Sequence, residues 1–235
     1  MSPRCADADA SPVPEDDPAL RRRLLAAARQ MNPLGINRGK SGNLSTRAWR
    51  GERDGYCITP TGLAWDDTRE ADLVWMPLDG EESAALGRRA PSSEWRFHRD
   101  LYVARADAQA IVHAHSPFAT TLACLGRGIP AFHYMVAVAG GEDIRCAGYA
   151  TFGTQALSDL AVAAMAGRSA CLLANHGQIA MGASVEQALA LAAEVETLAE
   201  MYWRALQVGE PLLLDRAEMA VVLEKFRHYG QPRSR

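Results

Sequence analysis

Ser92-Ser93-Glu94-Trp95-Arg96-Phe97-His98, followed by Ile111-Val112-His113-Ala114-His115, is the stretch that decides the fold. Residues 110–112 are apolar and β-branched, which predicts a buried strand. Side chains on a strand alternate between its two faces, so His113 and His115 point the same way, about 7 Å apart. A Ser-Pro turn signal follows. Both imidazoles therefore lie at the carboxyl end of a strand, where α/β folds place their sites.

A third imidazole follows a second apolar run. Residues 170–174 predict another short buried strand, and it ends in Asn175-His176-Gly177. Gly177 allows a tight bend of the backbone. A pair of histidines beside an apolar run can be ordinary core residues, but three imidazoles that leave a coordination position open are the ligand set of a catalytic zinc site.

Glu94 is the candidate for a fourth ligand. Ser92 and Ser93 are candidate helix N-caps, which would place Glu94 in the first helical turn. A carboxylate there can also simply complement the helix dipole. The free N–H groups of a helix start bind anions, so the Ser-Ser pair predicts a phosphate cradle beside the metal. His98, one turn on, is predicted to make structural hydrogen bonds and not to bind metal.

Two small polar turns are further candidates for ligand binding. Ser41-Gly42-Asn43-Leu44-Ser45 and Pro60-Thr61-Gly62 both offer exposed backbone N–H groups, and Asn43 adds an amide donor. Taken alone, the first of these segments is better explained as a plain turn. The chain has no glycine–lysine loop of the Walker type, which excludes a nucleotide site of that kind.

The composition limits the partners of the chain. Its 235 residues fit one domain, and the formal net charge of −3 gives no general reason to expect nucleic acid or an anionic membrane. No apolar run approaches the roughly 20 residues that span a bilayer. Five scattered cysteines favour a reducing compartment over a disulfide framework. We therefore expect a cytoplasmic protein with no nucleic-acid or membrane partner.

The order of the elements predicts one domain. Residues 1–17 are polar and rich in proline, and we expect a disordered N-terminal extension there, with the domain spanning residues 18–235. Asp17-Pro18 predicts a helix start, and Ser184 and Asp215 predict two more. Strands and helices mix without strict βαβ alternation. This predicts an α/β domain with a largely antiparallel central sheet covered by helices.

Taken together, these motifs resemble the class II aldolase/adducin family. The resemblance covers nearly everything from about residue 20 to residue 230, and the combination is specific although each piece alone is weak. The matching stretches are Gly42-Asn43-Leu44-Ser45, Ile58-Thr59-Pro60-Thr61-Gly62, Ser92 to His98, His113-Ala114-His115, His133-Tyr134-Met135, Tyr149 to Thr154, Asn175-His176-Gly177 and Val222 to Phe226.

The resemblance implies a fold, an assembly and a set of site residues. The fold would be a three-layer α/β/α domain, assembled as a homotetramer with sites at subunit interfaces. Zn2+ would be the cofactor, with Mn2+, Co2+ or Fe2+ as alternatives. Its ligands would be Glu94, His113, His115 and His176. The substrate would be held by Gly42, Asn43, Thr61, Gly62, Ser92, Ser93 and Phe152. Tyr134 of a neighbouring subunit and Tyr229 would join Glu94 as catalytic residues.

The resemblance also implies a reaction. A class II aldolase would reversibly cleave a small phosphorylated sugar, a ketose 1-phosphate, to dihydroxyacetone phosphate and an aldehyde. L-Fuculose 1-phosphate is the first candidate, and activity is also expected on 5-deoxyribulose 1-phosphate and 5-(methylthio)ribulose 1-phosphate. Two alternatives stay open, a ribulose-5-phosphate 4-epimerase on the same fold and a non-catalytic adducin-like module. Lysines are few, and Lys40 and Lys225 lie in a turn and a terminal helix, which argues against Schiff-base chemistry.

Overall fold

The computed structural model describes residues 14–227. Within this range a seven-stranded sheet forms the middle of the molecule, with strand order β3-β2-β1-β4-β7-β6-β5. The strands are β1 (Asn43–Arg47), β2 (Gly55–Ile58), β3 (Val74–Pro77), β4 (Ala110–Ala114), β5 (Arg145–Ala147), β6 (Ala170–Leu173) and β7 (Gly177–Gly182). Every neighbouring pair is antiparallel except β5 with β6. The prediction of a largely antiparallel sheet is confirmed.

Helices cover both faces of the sheet. They are α1 (Pro18–Gln30), α2 (Trp95–Ala104), α3 (Pro117–Cys124), α4 (Gln155–Ala164), α5 (Val185–Val208) and α6 (Arg216–Arg227). One apolar core joins α1, α3, α5 and α6 to the first face. A second core joins α2 and α4 to the other face. The three-layer α/β/α architecture is therefore confirmed, and each layer of helices buries its own side of the strands.

Local sequence explains where several helices begin. The carboxylate of Asp17 accepts the N–H of Leu20 at 2.8 Å, and Pro18 is the first residue of α1. Asp215 accepts the N–H of Glu218 at 2.8 Å at the start of α6. Each side chain satisfies an N–H group that the helix itself leaves free. The predicted caps are therefore confirmed at both helices.

The last residues of the predicted N-terminal extension contact the domain, while residues 1–13 lie outside the described residues. The N–H of Asp16 donates to the carbonyl of Trp49 at 2.7 Å, and the N–H of Trp49 donates to the carbonyl of Pro14 at 2.8 Å. Arg21 also forms an ion pair with Asp16 at 2.7 Å. Polar composition did not indicate this backbone pairing, and the boundary between extension and domain remains a prediction.

The start of α2 also differs from the prediction by one residue. The helix begins at Trp95, so Glu94 occupies the N-cap position and not the first turn, and no side chain caps the helix. The hydroxyl oxygen of Ser92 accepts the N–H of Glu94 at 3.3 Å. The backbone of Glu94 is not helical, with φ −101° and ψ 15°, and its carboxylate lies 3.2 Å from Nε2 of His113 near the end of β4.

Among residues 14–227, no helix is long and apolar enough to cross a bilayer.

Candidate active site

Strand β4 and the residue just after it carry the first two imidazoles of the site. The Nε2 atoms of His113 and His115 lie 3.0 Å apart, which confirms that the two rings face the same way. Nδ1 of His113 lies 2.9 Å from the carbonyl oxygen of Gln178 on β7. Because a carbonyl can only accept, Nδ1 carries a proton, and Nε2 is left as the atom of this ring that can bind a metal. A backbone carbonyl that fixes the tautomer in this way is typical of a metal-binding histidine.

A tight turn between β6 and β7 places the third imidazole. Asn175 has a φ of 56°, a left-handed conformation that asparagine tolerates better than most residues. Gly177 begins β7, and a Cβ atom there would lie 2.4 Å from the carbonyl oxygen of Ala114. The backbones can approach this closely only because position 177 is glycine. As a result the His176 ring centroid lies 4.7 Å from that of His113 and 4.9 Å from that of His115.

Glu94 completes the cluster from the start of α2. Its Oε2 lies 3.2 Å from Nε2 of His113, and its Oε1 lies 3.2 Å from Nε2 of His176. The amide of Asn43 donates to Oε2 at 3.0 Å. Oε1 is buried and makes no hydrogen bond. A buried carboxylate oxygen without a donor is costly in a protein interior, so this atom fits a bound cation.

The four side chains form a group that could hold a metal ion. One ligand atom from each of Glu94, His113, His115 and His176 lies within 4.8 Å of the other three. Three imidazole nitrogens and one carboxylate suit a divalent transition metal, and exchange of the carboxylate for substrate would open a coordination position.

The electrostatics favour the metal-binding protonation states. Burial lowers the pKa of His115 and of His176 to about 4, with the charge of His113 as a second cause. Burial alone would raise the pKa of Glu94. The charge and hydrogen bond of His113, with smaller contributions from His176 and Asn43, outweigh burial and bring that pKa well below its usual range. At neutral pH the site therefore offers neutral rings at positions 115 and 176 and an ionised carboxylate.

A cleft of about 310 Å³ opens onto this cluster. All seven predicted substrate-binding residues line it, together with Glu94, His115 and His176. His113 lies beneath it and is fully buried. The predicted substrate-binding residues are Gly42, Asn43, Thr61, Gly62, Ser92, Ser93 and Phe152.

Backbone pairing brings the two polar turns to the start of α2. The N–H of Ser92 donates to the carbonyl of Thr59 at 3.0 Å, and the N–H of Thr61 donates to the carbonyl of Ala90 at 3.2 Å. Gly42 has a φ of 77°, and a Cβ atom there would lie 2.8 Å from the carbonyl oxygen of His113. The turns and the helix start thus surround one end of the cleft with small residues and N–H groups, a surface suited to an anion.

Tyr134 does not line the cleft of its own chain. It begins a 3₁₀ segment, Tyr134–Ala139, its side chain is 51% exposed, and its ring lies 6.4 Å from that of Phe226. It is not among the described residues that line the cleft. Tyr229 lies outside the described residues. The assignment of either tyrosine to the site remains a prediction.

Sequence reasoning missed four polar residues of the cleft, Lys40, Ser41, Tyr149 and Asn175. Lys40 was considered only as a Schiff-base candidate. It is exposed, and among the described residues that line the cleft it is the basic one. Its position two residues before Gly42 was the available signal, because a cation beside a predicted phosphate turn suits the phosphate.

Known proteins are similar to this chain in sequence and in fold. The sequence model of the Class II Aldolase and Adducin N-terminal domain matches residues 22–203. A 5-methylthioribulose-1-phosphate/5-deoxyribulose-1-phosphate aldolase of Rhodospirillum rubrum is 58% identical over 212 residues, 90% of this chain and 93% of that protein. The L-fuculose phosphate aldolase of Escherichia coli K12 is 44% identical, over 90% of this chain and 95% of that protein.

A solved structure agrees with these sequence matches. An L-fuculose 1-phosphate aldolase superimposes with a TM-score of 0.84 at 40% identity, covering 90% of this chain and 97% of the other. The match extends over the strands and helices that place the histidines, Glu94 and the polar turns. The chain therefore belongs to the class II aldolase and adducin family.

Proposed function

We propose that this protein is a zinc-dependent aldolase that reversibly cleaves a ketose 1-phosphate to dihydroxyacetone phosphate and an aldehyde. The observation that supports this most is the convergence of Glu94 and three imidazoles beside a cleft lined by small polar turns. A non-catalytic adducin-like module does not require an ionised carboxylate beside a cluster that can bind a metal. Aldolase names among the relatives agree with this proposal.

The metal would be held by His113, His115, His176 and, before substrate binds, Glu94. A divalent ion bound there supplies Lewis-acid stabilisation of the negative charge that develops on the ketose oxygens when the C3–C4 bond breaks. Zinc is the first candidate because the ligand set is rich in nitrogen. A Schiff base is not needed, and the exposed Lys40 lacks the desolvated setting that activates a lysine for it.

The other steps, proton transfer and phosphate binding, are carried out by residues of the chain. In the direction of synthesis, Glu94 takes a proton from C3 of dihydroxyacetone phosphate, and in cleavage it returns that proton to C3. A positioned base of this kind typically contributes about 10²–10⁴-fold to the rate. The phosphate is bound by the two polar turns, the Ser92-Ser93 pair and Lys40. This binding orients the carbonyl toward the histidines.

Tyr134 is proposed to act from a neighbouring subunit. Its half-exposed ring lies away from the cleft of its own chain, so it can reach a site only across an interface. We propose that it exchanges the proton of the aldehyde oxygen and that Tyr229 assists it. Exposed apolar side chains support an assembly, and we propose the homotetramer that the family resemblance implies. The most exposed of these side chains are Val208 and Leu212.

The sugar tail of the substrate would be bound at the outer end of the cleft. Tyr149 and Phe152 lie there, each 64% exposed, with Ala150 between them. These apolar groups suit a methyl or thioether end better than a second phosphate, which would require further basic residues. All three candidate ketose 1-phosphates meet this condition. Because the relative named for 5-methylthioribulose 1-phosphate and 5-deoxyribulose 1-phosphate is 58% identical and the one named for L-fuculose phosphate is 44% identical, we propose the first two as first substrates and L-fuculose 1-phosphate as the third.

The four described cysteines are free, which supports the proposed cytoplasmic location.

The test is kcat/KM for cleavage of each ketose 1-phosphate by zinc-loaded enzyme, with ribulose 5-phosphate as the control. We expect dihydroxyacetone phosphate from all three substrates, with differences within about 10–200-fold because an apolar pocket discriminates small groups weakly. Conversion of ribulose 5-phosphate to its 4-epimer in preference to any cleavage would establish the epimerase alternative instead.

A further inference from the structure

A chain of buried hydrogen bonds runs from Tyr102 to Glu94. The hydroxyl of Tyr102 lies 2.8 Å from Oγ of Ser45, which lies 2.7 Å from Nδ1 of His98. Nε2 of His98 lies 2.6 Å from Oδ1 of Asn43. Nδ2 of Asn43 donates to Oε2 of Glu94 at 3.0 Å. All five side chains are buried, and nothing in the proposed mechanism uses the three beyond Asn43.

The direction of each hydrogen bond follows from its last member. The ionised carboxylate of Glu94 only accepts, so the NH2 group of Asn43 faces it and the amide oxygen faces His98. That oxygen also only accepts, so His98 carries its single proton on Nε2 and accepts on Nδ1. Ser45 must then donate to His98 and accept from Tyr102. Burial lowers the pKa of His98 to about 3, in agreement with a neutral ring that has only one proton to give.

From this geometry we propose that His98 is a positioning residue for Glu94. This inference rests on the proposed role of Glu94 and extends it. The Nε2–H of His98 holds the Asn43 amide so that its NH2 group faces Oε2. Oε1 is thereby left as the oxygen without a donor, the one available to the metal and to the substrate proton. Without His98 the amide could rotate and present its oxygen to a carboxylate, which repels it.

A pair of substitutions separates this role from packing. In His98→Gln the side-chain nitrogen reaches the position of Nε2 and can still donate to Asn43. In His98→Asn the shorter amide reaches only the position of Nδ1, so it contacts Ser45 and not Asn43. We expect kcat to fall about 10–100-fold in His98→Asn, as for loss of other groups that orient metal ligands. KM should change less than about twofold, and His98→Gln should recover most of kcat.

Two readouts test whether the effect passes through Asn43 and Glu94. The absorption spectrum and Co2+ affinity of Co2+-loaded protein should change in His98→Asn and return toward wild type in His98→Gln. In an Asn43→Ala background, His98→Asn should cause no further loss of kcat, because the amide it orients is gone. The unfolding midpoint of each variant shows that it is folded.

Each contrary result is decisive. Folded His98→Asn protein with wild-type kcat and Co2+ spectrum would overturn the proposal, as would a full additional loss in the Asn43→Ala background. If the wild-type enzyme cleaves no ketose phosphate, the proposed function fails, and the Co2+ spectra still decide whether His98 orients Glu94.

Discussion

Asn43 and His113 lie directly opposite each other in the antiparallel pairing of β1 with β4. Opposed residues on neighbouring strands point to the same face. One register therefore places the amide that holds Glu94 beside the buried imidazole that Glu94 contacts. A slip of one residue would turn the two side chains to opposite faces of the sheet and separate the polar turn from the proposed metal ligands.

Glu94→Gln should lower the rate of cleavage by about a hundredfold or more while the protein stays folded. The amide keeps the shape of the side chain but cannot take the C3 proton. The measurement is kcat on a ketose 1-phosphate, with exchange of the C3 proton of dihydroxyacetone phosphate as a second assay. Near-normal turnover and exchange would remove Glu94 from the role of base.

Purified protein should carry about one divalent ion per chain, and His115→Ala should lose most of it, because one of three imidazole ligands is gone. Metal analysis of dialysed protein is the measurement. His133→Ala is the matched control, since His133 lies outside the cluster and only caps a 3₁₀ segment. Full occupancy in a variant lacking His113, His115 and His176 together would contradict the site.

Lys40→Met should weaken the binding of inorganic phosphate on the order of fivefold, since an exposed cation adds a modest charge-assisted contact. The measurement is the inhibition constant of phosphate at low and high salt, with the difference between variants shrinking at high salt. Arg38→Met removes the same charge from the same exposed loop but from a residue outside the cleft lining. Equal effects of the two changes would mean that only net charge matters.

Tyr134→Phe should lower the rate of cleavage by at least about tenfold because the aldehyde oxygen loses its proton partner. Metal content and phosphate inhibition should stay unchanged, since Tyr134 is not among the described residues lining the cleft of its own chain. Mixing Tyr134→Phe with inactive Glu94→Gln subunits should restore part of the activity if the tyrosine acts across an interface. A fully active dilute monomer would contradict both the role and the interface.

The metal-free protein should lose stability as the pH falls from 7 to 5.5. Burial lowers the pKa of His98 to about 3 and those of His115 and His176 to about 4. In the unfolded chain these rings titrate near 6.5, so acidification adds protons to the unfolded state first and favours it. The measurement is the urea midpoint at each pH. His98→Gln should show a smaller decline, and a flat profile for wild-type protein would contradict the assignment of neutral rings.

Short-range patterns were enough to predict a largely antiparallel sheet and the shared face of His113 and His115, and the motifs together indicated the family, which implied the three layers. The alternation of side chains along a strand put His113 and His115 on one face, and the run before Asn175 marked the end of another strand. The prediction of a lyase of the class II aldolase family is confirmed by the comparisons. These inferences succeeded because each depended on neighbours along the chain.

The same patterns could not predict contacts between segments that are distant in the sequence. Nothing near Pro14 indicates that it pairs with Trp49, and nothing near His98 indicates that its ring meets Asn43. The parallel pairing of β5 with β6 was also not predicted, because register and neighbour order depend on the whole sheet. Glu94 was predicted in the first helical turn because serine is a preferred N-cap residue. The local pattern did not indicate that the Glu94 carboxylate joins a cluster with histidines far away in the sequence.

The position of Glu94 at the N-cap of α2 makes one rigid element carry the residues proposed to contact the phosphate and the carbonyl end of the substrate. The residues just before it contribute to the proposed phosphate site, and its carboxylate belongs to the metal cluster. In the proposed complex, the helix start therefore fixes the distance between the phosphate and the carbonyl of the substrate. Substrates that keep this distance can differ freely in their tails, whereas moving the phosphate to the far end of the sugar would break the match. Diversity among related enzymes should therefore accumulate at the tail end of the cleft, and phosphate position should be the most resistant trait to change by mutation.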